Sequence, residues 1–225
     1  MHLPTSPLQR LLAITASVLA CATPAQALVD VISYSGTDGA SNAWGYNDGS
    51  YSGQRVGGWL SGGEGDLTDG MKNVKVGYGY ERWSPYVMWE DISPVLTFDL
   101  GARHDVASVL GYFNYYPTAA VRIPPSAQIR FSDDGLNFGT AQQRQFSTAE
   151  RSPGGNDSTP SYALLTSAGQ GRYVELKLTT PGRWIALSEV EFSGMPSSVP
   201  EPGSWALMAA GVAALGARLR RHPAA

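Results

Sequence analysis

Apolar and polar side chains alternate at a period of two through much of the middle of this chain. Over residues 95–100, Leu96, Phe98 and Leu100 point one way and Thr97 and Asp99 the other. That pattern predicts a strand with one face in a core and one in water. Residues 101–105 read as a turn. Residues 106–113 are apolar on both faces and predict a central strand. Ile129 and Phe131 oppose Gln128 and Arg130 over residues 127–132, and Asp133-Asp134-Gly135 supplies a hairpin turn. Residues 162–165 add a short strand. Val174, Leu176 and Leu178 oppose Tyr173, Glu175 and Lys177 over residues 173–178. The last strand, 184–192, changes phase near Ser188: Ile185 and Leu187 are followed by Val190 and Phe192. A slip of one residue is what a β-bulge produces.

Between these strands the pattern is looser. Residues 29–34 predict an opening strand, followed by long loops in which Trp44, Tyr46, Tyr51 and Trp59 sit among glycines. Leu67-Thr68-Asp69-Gly70 is a turn signal, and residues 76–89 mix aromatics with Gly and Pro. Residues 141–160 are polar and predict a mobile loop. No segment between the chain ends holds a helical period over three turns. The expected fold is all-β, a β-sandwich with jelly-roll topology.

Both ends break the alternation. Arg10, the apolar stretch 11–20 and the small-x-small site Ala25-Gln26-Ala27 read as a secretory signal peptide, residues 1–27, removed by signal peptidase. Val18-Leu19-Ala20-Cys21 offers a competing reading, a lipoprotein box with Cys21 acylated. At the other end a short polar linker, 193–198, leads to Val199-Pro200-Glu201-Pro202. An apolar helix over about 204–217 follows, then the basic stop Arg218, Arg220 and Arg221. An apolar helix halted by arginines reads as a membrane segment with its arginine end cytoplasmic. It is shorter than the roughly 20 residues of a comfortable span. The ordered parts of residues 199–225 resemble the PEP-CTERM sorting signal of Gram-negative bacteria. That resemblance implies export across the inner membrane and transient anchoring there. It also implies cutting near Pro200 by an exosortase-type membrane protease, and delivery to the cell surface or extracellular matrix.

Composition narrows the partners. Gly (26) and Pro (15) are frequent and charged residues make up only 16% of the chain, as suits a turn-rich β protein. Residues 28–200 hold 12 Lys and Arg against 18 Asp and Glu, a net charge of −6 that the terminal arginines mask. An acidic body without a basic run argues against nucleic acid and against adhesion to anionic lipid. The single cysteine, Cys21, lies in the leader, so the body has no disulfide and depends on packing.

A second resemblance rests on ordered segments of the body. They are LTDG at 67–70, VGY at 76–78, PVLTFDLG at 94–101, VASV at 106–109, IPPSAQIRFSDDGLNF at 123–138, GRYVELKL at 171–178 and WIALSEVEF at 184–192. Together they resemble the discoidin, or coagulation-factor C-type, domain of the galactose-binding-like superfamily. The domain is expected over residues 28–192. The resemblance implies an eight-stranded jelly-roll sandwich whose loops at one end meet sugars or other ligands.

The chemistry on offer is sparse. His104 is the only histidine of the body, which leaves no basis for a His-based nucleophilic triad or a zinc site. Asp133 and Asp134 belong to the hairpin turn. Glu189 and Glu191 share one strand face and repel unless a cation or an arginine compensates. The discoidin resemblance implies a structural calcium at Asp69 and Glu189, a choice of ligand atoms that suits that ion. Relatives continue the motif as Asp-Gly-Asn/Asp and then Thr, where this chain has Met71 and Val74. The alternative is that Glu189 pairs with Arg172, Arg183 or a backbone group.

Loop aromatics are the other candidates: Trp44, Tyr46, Trp59, Tyr80, Trp83, Tyr115 and Tyr116, with Arg55, Arg82 and Arg183 as donors. Aromatic faces stack on sugar rings and polar neighbours fix their orientation. The reading is a surface-sorted, non-catalytic module for carbohydrate or exopolysaccharide. Two rivals stay open: a structural matrix protein acting through protein contacts, and a hydrolase using Glu189 or Glu191.

Overall fold

The computed structural model describes residues 26–40, 45–72, 85–156, 158–166, 168–197 and 210–211. The signal peptide apart from Gln26 and Ala27, the Val199–Pro202 motif, and Arg218, Arg220 and Arg221 lie outside them, as does the apolar run apart from Ala210 and Gly211. Among the described residues no helix is long and apolar enough to cross a membrane.

Among the described residues eleven strands form an all-β sandwich whose two layers share one strand. In chain order they begin with β1 (Ala27–Val29), β2 (Ser33–Thr37), β3 (Gln54–Val56), β4 (Trp59–Gly63) and β5 (Val87–Glu90). Then come β6 (Val95–Tyr115), β7 (Ser126–Ser132), β8 (Gln142–Gln145), β9 (Thr159–Thr166), β10 (Gly169–Leu178) and β11 (Trp184–Pro196). The first layer runs β3-β4-β2-β6-β10-β7-β8. In the second, β11 pairs with β1, β5 and the later part of β6, and β9 closes the other edge of β6. All these pairings are antiparallel.

The expected turn at 101–105 is instead a corner inside β6. Gly101 adopts φ +76°, a conformation open to glycine at little cost, and lets the strand bend without ending. The ladder holds on both sides of the corner: Gly171 sits opposite His104 on one flank and Pro196 opposite His104 on the other. Because β11 continues to Pro196, residues 193–196, expected as linker, are strand.

Two further expectations change. The opening strand 29–34 is two strands, since the chain crosses between layers: Val29 pairs with Phe192 in the second and Ser33 with Asp99 in the first. The polar stretch 141–160 holds β8, the start of β9, and a one-turn helix α1 (Thr148–Arg151). Ser147 accepts from the Glu150 N–H, and Glu150 accepts from the Ser147 N–H, a capping box that nucleates the turn.

The core lies between the layers. Leu96, Phe98, Val174, Leu176 and Ile129 from the first meet Val109, Phe113, Val190 and Phe192 from the second, all buried. The Phe98 and Phe192 rings are 5.3 Å apart. Each such side chain contributes about 1.5–3 kcal/mol through burial. The phase slip near Ser188 is real: Leu187 faces Phe113 and Glu189 faces Tyr112, so Ser188 is the extra residue of a bulge. The bulge keeps Val190 and Phe192 inside while Glu189 and Glu191 stand on the opposite face.

Candidate ligand-binding end and acidic clusters

Folding β6 over at its corner brings its two ends to one pole of the sandwich. The chain leaves at the other pole, where the Ser197 N–H donates to the Arg103 carbonyl at 3.0 Å and Ser197 Oγ donates to Asp105 at 3.0 Å. Residues 91–94, 116–125 and 179–183 gather at the pole away from this exit. Backbone bonds lace them together: Arg122 N–H to Trp184 O at 2.9 Å, Asp91 N–H to Arg183 O at 3.4 Å, and Leu178 N–H to Pro94 O at 3.1 Å.

At that pole Tyr46 and Trp184 make an edge-to-face pair, ring centroids 4.9 Å apart and planes at 74°. Both are partly buried on a small cluster of Tyr86, Met88, Tyr116, Val121 and Ala186. Burial, reinforced by the Glu90 carboxylate, raises the Tyr46 hydroxyl above the usual tyrosine range. Arg183 stands beside Glu90, Nη2 to Oε1 3.6 Å, with both side chains well exposed. The Arg122 guanidinium lies 5.8 Å from the centre of the Tyr115 ring. Asp91 and Ala120 adopt left-handed φ of +53° and +59°, strained values for non-glycine residues.

Of the aromatics expected in the loops, Tyr46 therefore sits beside Arg183 at this pole. Trp59 is half-exposed and pairs with Thr37 and Val56 beside the Gly57-Gly58 turn. It shares the pole, because Thr37 is hydrogen-bonded to Val95, but lies on the edge of the first layer. Tyr115 and Tyr116 are buried, and belong to the main core and the small cluster. Arg55 is exposed but engaged with buried partners: its Nε lies 2.5 Å from Asp38 Oδ2, and its guanidinium donates to the Asp48 carbonyl. Trp44, Tyr80, Arg82 and Trp83 lie outside the described residues. Trp184 and Arg122 were not singled out by sequence reasoning. The available signal was an aromatic placed directly after Pro181-Gly182-Arg183, at a strand mouth.

The carboxylates form two groups. Gly70 N–H donates to Glu189 Oε2 at 2.9 Å and Met71 N–H donates to Asp69 Oδ1 at 2.8 Å. Burial pushes Glu189 up to about 7, helped by Asp69 and Glu191 and opposed by the Gly70 bond and Lys72. Asp69 is raised too, by burial and then by Asp66. The two line a cleft of about 270 Å³ together with Leu28, Asp30, Thr68 and Glu191. Among the described residues no arginine compensates Glu189: Arg172 binds Asp99 bidentately at 2.8 Å, and Arg183 is with Glu90. The backbone partner is the one that stands. Glu191 accepts from Lys72 and from the Tyr112 hydroxyl.

The second group was invisible in sequence. Asp38, Asp48 and Asp66 are all buried. Asp48 N–H donates to Asp38 at 3.1 Å, Asp66 N–H donates to Asp48 Oδ1 at 3.1 Å, and Ser50 Oγ donates to Asp66. Asp48 Oδ2 has no hydrogen-bond partner, and burial pushes this carboxyl up to about 6. Among the described residues no group of three or more His, Cys, Asp or Glu is arranged to hold a metal ion.

Comparison with known proteins gives a family model described as discoidin domain-containing receptor 1/2, DS-like domain, over residues 30–194. The PEP-CTERM protein-sorting motif matches residues 198–221. No curated protein matches the chain. Solved structures with a similar fold include the C-terminal domain of a Bacteroides fragilis chitobiase: 15% identity, TM-score 0.43, covering 77% of this chain and 95% of that one. Another is CpGH89CBM32-5 from Clostridium perfringens, in complex with GalNAc-β-1,3-galactose: 13% identity, TM-score 0.40, covering 74% and 99%. A third is the CBM32 of AlyQ in complex with 4,5-unsaturated mannuronic acid: 15% identity, TM-score 0.42, covering 74% and 97%.

Proposed function

We propose, from the premise that this chain belongs through residues 30–194 to the family of the discoidin domain-containing receptor 1/2 DS-like domain, that it is a surface-sorted, non-catalytic module binding carbohydrate at the pole away from its exit. The observation that carries this reading is the Tyr46–Trp184 pair with Arg183 and Glu90 beside it. Such a group offers an aromatic face for the C–H side of a pyranose, and a donor and an acceptor for its hydroxyls. Trp59 shares that pole. Trp44, Tyr80, Arg82 and Trp83 remain candidates on the same grounds of residue type. Residues 198–221 carry the sorting motif. The reading has an exosortase-type protease cut the tail after transient anchoring in the inner membrane, which leaves the module at the cell surface or in its exopolysaccharide. Glycan-array binding by the full chain in a sugar-free detergent tests the ligand. Binding to one or more glycans, lost in Trp184→Ala, is expected, and silence across neutral and acidic glycans would overturn it.

The reading includes calcium. Burial raises both Asp69 and Glu189, and the Asp69 charge adds to the rise of Glu189. A divalent cation between them would relieve that repulsion, and oxygen ligands suit calcium. Within this chain the two side chains, with backbone carbonyls near them, would hold the ion and tie the 66–72 turn to β11.

A further inference from the structure

The outer face of the second layer carries a feature unrelated to the loop pole. Register places Tyr112 opposite Tyr162, and Leu110 opposite Leu164, so four side chains project side by side from β6 and β9. Tyr162 is 66% exposed and Leu164 40%, high values for a large aromatic and an aliphatic on regular strand. The two tyrosine rings lie 6.1 Å apart and are tilted by 39°. Beyond Tyr112, the Lys72 ammonium sits 5.0 Å from its ring centre and pairs with Glu191, which also accepts the Tyr112 hydroxyl. Desolvation and the bond to Glu191 push the Tyr112 hydroxyl far above its ordinary range, so it stays a neutral donor.

This arrangement has a definite chemical character. Tyr162 presents an open ring face. Tyr112, Lys72 and Glu191 fix one another, so a charged donor and a charged acceptor stand side by side at the edge of the aromatic floor. Each still has capacity: an ammonium has three protons and a carboxylate four lone-pair directions. A donor and acceptor so placed suit two vicinal hydroxyls, and the open ring suits the C–H face that the same sugar turns down. The ion pair is neutral as a unit, and Glu189 stands in the next register position opposite Tyr112. A pair without net positive charge offers a uronate or sulfated sugar nothing to neutralise it.

We infer that Tyr162, Tyr112, Lys72 and Glu191 form a second saccharide subsite, on the sheet face, for a neutral pyranose unit of a polysaccharide. The inference rests on the carbohydrate reading above and adds to it. The sheet-face subsite and the loop pole lie on different surfaces of one rigid sandwich. A long polymer can engage both, and a mono- or disaccharide only one. Joining two weak sites in this way strengthens binding by roughly a hundredfold without any new contact.

The test uses the full chain in a sugar-free detergent, with dextran, galactomannan and xyloglucan as long probes and isomaltose, mannobiose and cellobiose as short ones. Tyr162→Ala is expected to weaken the long probe at least tenfold and to leave the short probe at the loop pole unchanged. Tyr162→Phe, which keeps the ring, is expected to bind like the parent. Nitration gives a readout independent of any substitution. Tyr162 is expected to react readily with tetranitromethane, with the bound polymer protecting it, as located by peptide mass spectrometry. If Tyr162→Ala leaves polymer binding intact and polymer gives no protection, the sheet-face subsite is wrong while the loop pole survives. If neither long nor short neutral glycans bind and acidic ones do, the sheet-face subsite is likewise overturned. If no glycan binds, both fall.

Discussion

Asp66 donates its backbone N–H to Asp48 Oδ1 at 3.1 Å, which fixes two carboxylates next to each other below the surface. Nothing neutralises the second oxygen of Asp48. Its carboxyl is pushed from 3.8 to about 6, by burial first and by the Asp66 charge as well. The folded protein therefore holds this proton more tightly than the unfolded chain does. The stability it contributes is full below about pH 4 and is lost as pH rises through 6. Thermal melts are expected to show a more stable domain at pH 5 than at pH 8, by an amount on the order of 2 kcal/mol. Asp48→Asn should remove the Asp48 share of that loss and leave the share from Glu189, which is also raised and ionises within the same window.

Calcium should offset part of the loss at high pH. Titration of calcium at pH 8 is expected to raise the melting temperature of the parent chain. Glu189→Gln and Asp69→Asn should each abolish the rise, since each removes a carboxylate from the pair beside Gly70. A rise of equal size in both variants would place the ion elsewhere.

Glycan affinity should follow the aromatic pair at the loop pole. Trp184→Ala removes the partner ring of Tyr46 and is expected to reduce affinity by tenfold or more, read by calorimetry. Arg55→Ala should instead lower stability with affinity unchanged in the folded fraction, because Arg55 ties the Asp38 carboxylate to the Asp48 carbonyl.

The layers should come apart readily when their central contact is removed. Phe98→Ala deletes a ring packed on Phe192 and is expected to cost about 3–5 kcal/mol in urea unfolding. Gly101→Ala puts a Cβ at φ +76° and is expected to cost about 1–2 kcal/mol at the corner of β6.

Much of this architecture was legible in the sequence where burial on one face imposes a period of two. Leu96, Phe98 and Leu100 gave the first half of β6, and Val174, Leu176 and Leu178 gave β10. The broken phase at Ser188 located the bulge. The corner at Gly101 was read as a turn, because a glycine followed by polar residues signals a reversal locally. Only pairing to β10 and β11 on both flanks keeps that segment a strand. β8, with the sequence Gln-Gln-Arg-Gln, carries no alternation at all and is strand because β7 needs a neighbour. The candidate site was half legible. Residue type alone selected Tyr46, but it also selected the buried Tyr115 and Tyr116, and an Arg55 held by the Asp38 carboxylate and the Asp48 carbonyl. Trp184 was hidden by its own strand. The buried aspartates were hidden because Asp38, Asp48 and Asp66 are brought together by loops that no period describes.

The place where the chain leaves the sandwich has a mechanical consequence. β11 is the last strand, and it is bonded along its length to β5 and β1 on one flank and to β6 on the other. A pull on the tail at Ser197 therefore acts along the axis of an inner strand and loads all three ladders in shear at once. If ligand is gripped at the opposite pole, the tension runs the full length of the domain. Rupture then requires many hydrogen bonds to fail together instead of opening one by one from an edge.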